Sequence, residues 1–437
     1  VASGEARIVV GARSALFLPW AKLGLIVVDE EHENAYKQDE GVPYHARDMA
    51  VLYGTLGKFP VVLSSATPSL ESLVNVDRGR YAIVKLQDRH GRPELPETTL
   101  IDMTAEKLET GQWLSQRLIT EVAATLQSGD QALLFLNRRG FAPLTLCRAC
   151  GHRLNCPDCS AAMVEHRFRK QLVCHHCGHT EPTPKACPSC HEEGKLVSVG
   201  PGIERLAEEA AKLFPDANLA ILSSDLSRGQ NLRDTLHGVE DGTYNLVIGT
   251  QLVAKGHHFP HLTLVGVVDA DLALESSDPR AGERTWALLA QVAGRSGRGA
   301  KPGHALVQTY LPQHPLMKAL QRGDRDAYLD GEKKIREIAG LPPHGRLAGL
   351  VISGKDAAET ERFARMLSNH APAAEGVQVL GPAPAPIAMV RGRHRYRLLV
   401  KATRDVNLQA FLGTWLKDVK PKGSLALQLD VDPYNFL

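Results

Sequence analysis

Eight cysteines fall in four Cys-x-x-Cys pairs, Cys147/Cys150, Cys156/Cys159, Cys174/Cys177 and Cys187/Cys190, and they are all the cysteines of the chain. A tetrahedral structural zinc site takes four thiolate or imidazole ligands. One Cys-x-x-Cys turn supplies two of them, so four turns read as two zinc ions. The alternative, four disulfides, is disfavoured. The sequence shows no signal-peptide pattern and no apolar run near the ~18 residues of a membrane span, so the expected setting is a reducing one, where disulfides are rare. Spacing alone leaves the pairing of the turns open, although the 14-residue spacer between Cys159 and Cys174 is near the usual length. A module this short has little apolar core, and metal binding worth roughly 10 to 16 kcal/mol per zinc must carry much of its folding. His152, His175, His176, His179 and His191 lie nearby, but with eight thiolates present they read as bystanders.

A second constellation is acidic. The apolar run Leu25 to Val28 delivers Asp29-Glu30-Glu31-His32 to a strand end. An acidic pair there fits a Walker-B element, in which one carboxylate holds Mg²⁺ and the next positions or deprotonates the attacking water. The bland alternative is a solvated acidic loop. Ser64-Ser65-Ala66-Thr67-Pro68 follows another apolar run. Its hydroxyls could bond the acidic element, or they could simply cap a helix starting at Pro68. Gln291-Val-Ala-Gly294-Arg295-Ser-Gly297-Arg298 ends a helical pattern, and helical spacing would set Arg295 and Arg298 one turn apart on one side. Two planar guanidinium forks so placed suit a nucleotide γ-phosphate. The glycines between them suggest close backbone approach, since glycine inside a helix costs stability.

The elements that must position these groups are short apolar runs alternating with helical patterns through residues 1–145 and 200–310, the signature of parallel α/β sheets. Ligands in such sheets gather at the carboxyl ends of the strands. The cysteine module interrupts the second sheet without ending it. After Gly340-Leu-Pro-Pro-His344, a plausible linker, strand and helix patterns describe a small α+β domain, in which Gly381 to Pro386 reads as a stiff loop. The expected domains are 1–97, 98–145, 146–199, 200–340 and 341–437. The formal charge of the 437 residues is only +2, so a nucleic-acid partner must be argued from local clusters. The clearest cluster is Arg391, Arg393, Arg395 and Arg397, with Lys401 and Arg404 beyond; the bland alternative is a solvated edge strand.

The acidic, Ser-Ala-Thr and Gln-to-Arg elements, in this order, resemble motifs II, III and VI of superfamily 2 helicases. Ile8 to Phe17, Leu134 to Pro143 and Ile248 to Pro260 resemble motifs Ib, IV and V of one family within it, and the cysteine insertion and the ending Leu429-Asp-Val-Asp-Pro433 do the same. The chain is identified as a member of the PriA family of bacterial replication-restart helicases. The resemblance implies an α/β fold of two RecA-like helicase lobes, the first incomplete, with an inserted two-zinc module and a C-terminal α+β domain. It implies that Asp29 and Glu30 are the Mg²⁺ and water-activating acids, that Arg295 and Arg298 contact ATP phosphates, and that Gln291 and Gly256 line the cleft. It implies nested zinc sites, Cys147/Cys150 with Cys187/Cys190 and Cys156/Cys159 with Cys174/Cys177. DNA contacts are implied for Arg13, Arg138, Lys255, Arg393, Arg395 and Arg397, and for the aromatic-rich loop Glu33 to Asp48 with Tyr36, Lys37, Tyr44, His45 and Arg47. Val42 stands in that loop where a Trp is often found. The cofactors implied are two Zn²⁺ and ATP with Mg²⁺. The partners are single-stranded and forked DNA, primosome proteins and single-stranded-DNA-binding proteins, with translocation 3′ to 5′ in the bacterial cytoplasm at the nucleoid and no membrane association. The sequence has no G-x-x-x-x-G-K-[ST] P-loop; its nearest echo is Ser353-Gly354-Lys355-Asp356. The chain is therefore expected to be a carboxyl-terminal portion that hydrolyses little ATP alone. The competing expectation is a non-enzymatic zinc-containing scaffold for DNA and proteins.

Overall fold

The computed structural model describes residues 1–38, 41–86, 96–106, 108, 112–137, 144–147, 150, 152, 154–157, 163–166, 171–174, 179–199, 202–223, 232–253, 259–271, 274, 278–297 and 301–434. The first lobe is a partial sheet in which Ile26–Val28 pairs in parallel with Val61–Leu63. Helices Ala46–Gly57 and Leu70–Asp77 accompany it. Val27 is 59% exposed and Val62 48% exposed, so these two strands have one bare apolar face, which parallel strands ordinarily bury. The second helix starts at Leu70, later than the Pro68 start considered above, because the Ser69 side chain accepts the Ser72 N–H and caps it.

The second lobe is an all-parallel sheet of six strands, in the spatial order Leu219–Leu222, Leu246–Gly249, Gln131–Leu136, Leu262–Asp269, His304–Thr309 and Glu97–Asp102. Strand residues alternate between its two faces. Leu133 and Phe135 therefore enter one core with Val265, Val267 and Trp286, while Ala132, Leu134 and Leu136 enter another with Leu118, Leu206 and Leu264. Burial on both faces explains why these strands read as continuous apolar runs.

The insertion is closed at its base by Leu144–Cys147 pairing antiparallel with Leu196–Val199. Inside lies a three-stranded antiparallel sheet, Val164–His166, Gln171–Val173 and Thr180–Pro182. Its core of Leu154, Cys156, Met163, Leu172 and Cys174 also receives Ile387 and Val390 from the last domain.

That last domain is a four-stranded antiparallel sheet in the order Val377–Val390, Arg393–Thr403, Gly345–Gly354 and Ala426–Val431. Helices Ala357–Asn369 and Leu408–Leu416 pack on it. The stretch Gly381 to Pro386, expected to be a loop, lies inside the strand Val377–Val390. The strand is at the sheet edge, where prolines lacking an N–H are tolerated, and its pairing slips between Leu380 and Ala383 and again between Pro384 and Met389.

Candidate functional site: the interlobe cleft and the cysteine cluster

The strand Ile26–Val28 ends in a sharp turn. Glu30 has a φ of +48°, and its N–H donates to Asp29 Oδ1 at 3.1 Å. Asp29 and Glu30 are exposed, whereas Glu31 is buried. The Glu31 carboxylate accepts from Arg47 Nη1 at 3.0 Å, Ser69 N at 2.6 Å and Ser69 Oγ at 2.9 Å. The left-handed turn thus divides three consecutive acids, two facing outward and one inward.

His32 is the junction of the site. Its Nδ1 lies 2.7 Å from Ser65 Oγ and 3.6 Å from Glu30 Oε2. Its Nε2 lies 3.3 Å from Thr67 Oγ1 and 3.2 Å from Gln291 Nε2 of the second lobe. One imidazole thereby joins the acidic turn, the Ser-Ala-Thr turn and the end of helix Ala281–Ala293. Beside it opens a cleft of 720 Å³ with Glu30, Ala66 and Thr67 on one wall and Gln291, Gly294, Arg295 and Arg325 on the other. The volume is within the range of small-molecule sites, about 300 to 1,000 Å³.

The helix expected to carry both arginines stops at Ala293, with Gly294 at its cap. Arg295 is therefore presented from a turn beyond the helix. Gly297 does mark close backbone approach: a Cβ there, where φ is +70°, would stand 2.4 Å from Gly303 N. Arg298, Gly256, Lys255 and Arg138 lie outside the described residues.

Beneath the cleft runs a belt of charge that the sequence reading missed. Arg280 Nη1 meets Glu71 Oε1 at 2.7 Å. Glu283 accepts the Leu70 N–H at 2.9 Å and Arg336 Nη2 at 2.8 Å, so a second-lobe carboxylate holds the first turn of a first-lobe helix. The Tyr434 ring lies 4.2 Å beneath the Arg280 guanidinium and 4.5 Å from the His45 ring. Burial acts to raise the Glu71 carboxyl, but Arg280, Arg47 and Arg336 overcome it and hold the group at about 2. Burial, aided by Arg47, pulls His45 down to about 4. The pairs that cross between the lobes, Glu71 with Arg280 and Leu70 with Glu283, join residues far apart in the chain, so no local pattern signalled them.

The expected DNA contacts are distributed unevenly. Lys37 and Arg47 depart from expectation. Lys37 is buried with its Nζ 2.6 Å from Asp430, and Arg47 is buried against Glu31, Asp48 and Ser69. Desolvated, paired cations at these positions hold the protein together and are not offered to phosphate. Arg13 donates to the carbonyls of Ala35 and Lys37 at 2.9 and 3.0 Å, and the Tyr36 hydroxyl donates to the Asp29 carbonyl at 2.6 Å. The aromatic loop is thus tied directly to the acidic turn. Tyr44 packs edge-on against Phe17, itself 51% exposed, at 5.0 Å. Arg393 bonds Ser353 and Ser424. Arg395 and Arg397 share its parity on the strand, opposite the buried Leu398 and Val400.

In the insertion, the sulfurs of Cys147, Cys150, Cys187 and Cys190 all lie within 4.8 Å of one another. Cys147 and Cys190 are 3.6 Å apart, and Cys150 and Cys187 are 3.7 Å apart. A tetrahedron with metal–sulfur bonds of about 2.3 Å has edges of roughly 3.8 Å, whereas a disulfide would be ~2.0 Å, so the geometry fits zinc. This is the outer pair of the nested scheme. The N–H groups of Cys147, Cys174 and Cys187 donate to the carbonyls of His152, His179 and Glu192 at 2.8, 2.8 and 3.0 Å. The same turn is thus built three times, and His152 and His179 serve it through their backbone. Cys156 and Cys174 are buried in one small core. Cys159 and Cys177 lie outside the described residues.

Two family models match the chain, the Primosomal protein N C-terminal domain over residues 337–434 and the PriA DNA helicase Cys-rich region (CRR) domain over residues 156–182. The replication restart protein PriA of Rickettsia conorii is 44% identical over 437 residues, covering 100% of this chain and 67% of that protein. The protein of that name in Bacillus subtilis is 37% identical over 441 residues, covering 99% of this chain and 54% of that one. Among solved structures, RecG bound to a three-way DNA junction aligns with a TM-score of 0.37 at 14% identity over 78% of this chain and 33% of RecG. No helix among the described residues is long and apolar enough to cross a membrane.

Proposed function

Since this chain belongs to the PriA family of replication restart proteins, we propose that its two lobes form the nucleotide cleft of an ATP-dependent DNA helicase. That helicase unwinds stalled or abandoned forks in the bacterial cytoplasm with 3′ to 5′ polarity and initiates primosome assembly. The observation that carries this reading is the shared cleft, with Glu30 from one lobe and Arg295 from the other lining the same 720 Å³. These 437 residues contain no P-loop. The active polypeptide is one that also carries a P-loop, and the chain alone turns over little ATP.

Asp29 and Glu30 are exposed oxygen donors on one turn, a set that suits Mg²⁺. Asp29 would hold the ion, and the ion would neutralise phosphate charge. Glu30, on the cleft wall, accepts the proton of the attacking water. Arg295 stabilises charge developing on the γ-phosphate, and Gln291 holds His32 so that the acidic turn and the second lobe move as one. Arg298 and Gly256 also serve the nucleotide, and Tyr36, fixed to the Asp29 carbonyl, carries the state of a bound strand to the acids. Arg13, Tyr44, Arg138, Lys255, Arg393, Arg395 and Arg397 provide aromatic faces and cations for single-stranded and forked DNA. The eight cysteines hold two structural zincs in the nested pairing. The insertion and the last domain present surfaces to primosome and single-stranded-DNA-binding proteins. The test is strand displacement on a forked duplex by the full-length protein. Unwinding that requires ATP and disappears in Glu30→Gln is expected, and unwinding indifferent to that change would contradict the assignment.

A further inference from the structure

Arg325 is the first residue of helix Arg325–Ile338 and was singled out by no sequence motif. Its Nη1 crosses between the lobes and donates to the carbonyl of Ala66 at 3.0 Å. Its Nε donates to Asp326 Oδ1 at 3.1 Å, and Asp326 Oδ2 accepts Lys85 Nζ from the first lobe at 3.0 Å. Arg325 lines the same cleft as Glu30, Thr67 and Arg295. Ala66 stands between Ser65 and Thr67, the two hydroxyl residues that meet His32.

We propose that Arg325 is a positioning residue for nucleotide hydrolysis: by gripping the Ala66 carbonyl it sets the Ser65-Ala66-Thr67 turn, and through His32 the acidic turn, according to the position of the second lobe. This rests on the cleft reading above. Two physical points support it. A cation in the first turn of a helix opposes the helix dipole, typically by ~0.3 to 1 kcal/mol, so local stability does not account for an arginine there. An exposed ion pair such as Arg325 with Asp326 contributes only about 0 to 1 kcal/mol, so fold stability does not account for it either. The contact with Ala66 instead closes a ring of interactions around the cleft. One side runs from His32 through Ser65 and Ala66 to Arg325, and the other runs from His32 to Gln291. A lobe movement has to strain or release that ring.

The experiment uses the full-length protein with saturating single-stranded DNA and compares Arg325→Ala, Arg325→Lys and Glu30→Gln. Arg325→Ala is expected to lower the DNA-stimulated kcat by about tenfold while the KM for ATP stays within about threefold and the melting temperature is unchanged, the pattern of a lost transition-state interaction. Arg325→Lys, which keeps one donor for the carbonyl, should recover most of the rate. Wild-type kcat in Arg325→Ala beside an inactive Glu30→Gln overturns the coupling alone. A fall in melting temperature matching the fall in rate, without rescue by lysine, also overturns it by making Arg325 a prop. Full hydrolysis in Glu30→Gln overturns the cleft reading itself, and this inference with it.

Discussion

Lys37 Nζ lies 2.6 Å from Asp430 Oδ1 and also donates to the carbonyls of Val431 and Asp432 at 3.1 and 3.3 Å. A lysine in the aromatic-rich loop of the first lobe is thereby fastened to the last strand of the chain. With Tyr434 set between Arg280 and His45, the C-terminal end reaches both lobes at their junction.

Removing that lysine should loosen the last domain. Truncating one partner of a buried pair costs about 3 to 5 kcal/mol, and the partial exposure of Asp430 reduces this to on the order of 2 kcal/mol. Lys37→Ala should therefore lower the thermal midpoint by several degrees. A DNA-binding lysine would behave oppositely, with an unchanged melting curve and a weaker, less salt-dependent complex.

Acid should weaken the same junction through His45. Its folded value of about 4 lies below the ordinary 6.5, so the unfolded chain takes up the proton first as pH falls. The stability His45 contributes is complete above pH ~6.5 and is lost as pH falls towards ~4. His45→Phe keeps a ring against Tyr434 and removes the titration. Denaturant midpoints between pH 7 and 4 should fall in the parent and flatten in the variant; parallel curves would exclude His45 as the cause. Glu71, held at about 2, acts in a lower window, because its contribution is present above the usual carboxylate value and disappears as pH drops through about 2.

Metal analysis of the purified chain should give two zinc ions. Cys187→Ser removes a ligand of the outer cluster and should leave one, with loss of protease resistance confined to the insertion. The six-stranded sheet has its own two cores and should keep its far-ultraviolet signal. Loss of both ions from that one substitution would argue against independent sites.

His32→Ala should separate nucleotide binding from hydrolysis in the full-length protein. The residue meets Ser65, Thr67 and Gln291 and leaves the exposed carboxylates in place. An affinity for ATP within about threefold of the parent and a kcat lower by ~10²-fold are expected, the scale of a misplaced catalytic group. Equal losses in both quantities would make His32 a general structural element.

Much of this was legible because the strands of a parallel sheet announce themselves as apolar runs, and the residues after two such runs carried the acids and the hydroxyls, while the end of a helical pattern carried the guanidinium. Cysteine spacing likewise located the metal-binding insertion, whereas the grouping of Cys147, Cys150, Cys187 and Cys190 comes from the folded geometry. What stayed hidden depends on long-range pairing. That Lys37 and Arg47 face inward follows from Asp430 and Glu31, and no local pattern distinguishes a paired cation from one awaiting a phosphate. Helix Ala281–Ala293 stops at Gly294 although the periodicity runs past it. The proline-rich strand Val377–Val390 was concealed because its composition is that of a loop.

The claim on which the account depends is that Glu30 and Arg295, one from each lobe, act on the same nucleotide. The most direct measurement is the single-stranded-DNA-stimulated ATPase of the full-length protein with Glu30→Gln, Arg295→Ala and both together. Residues acting as a unit are non-additive, and loss of an arginine finger costs roughly 10³ to 10⁵ in rate, so each single variant should lose at least ~10³-fold and the double variant little more. An Arg295→Ala enzyme that hydrolyses ATP like the parent, or losses that simply multiply in the double variant, would contradict it.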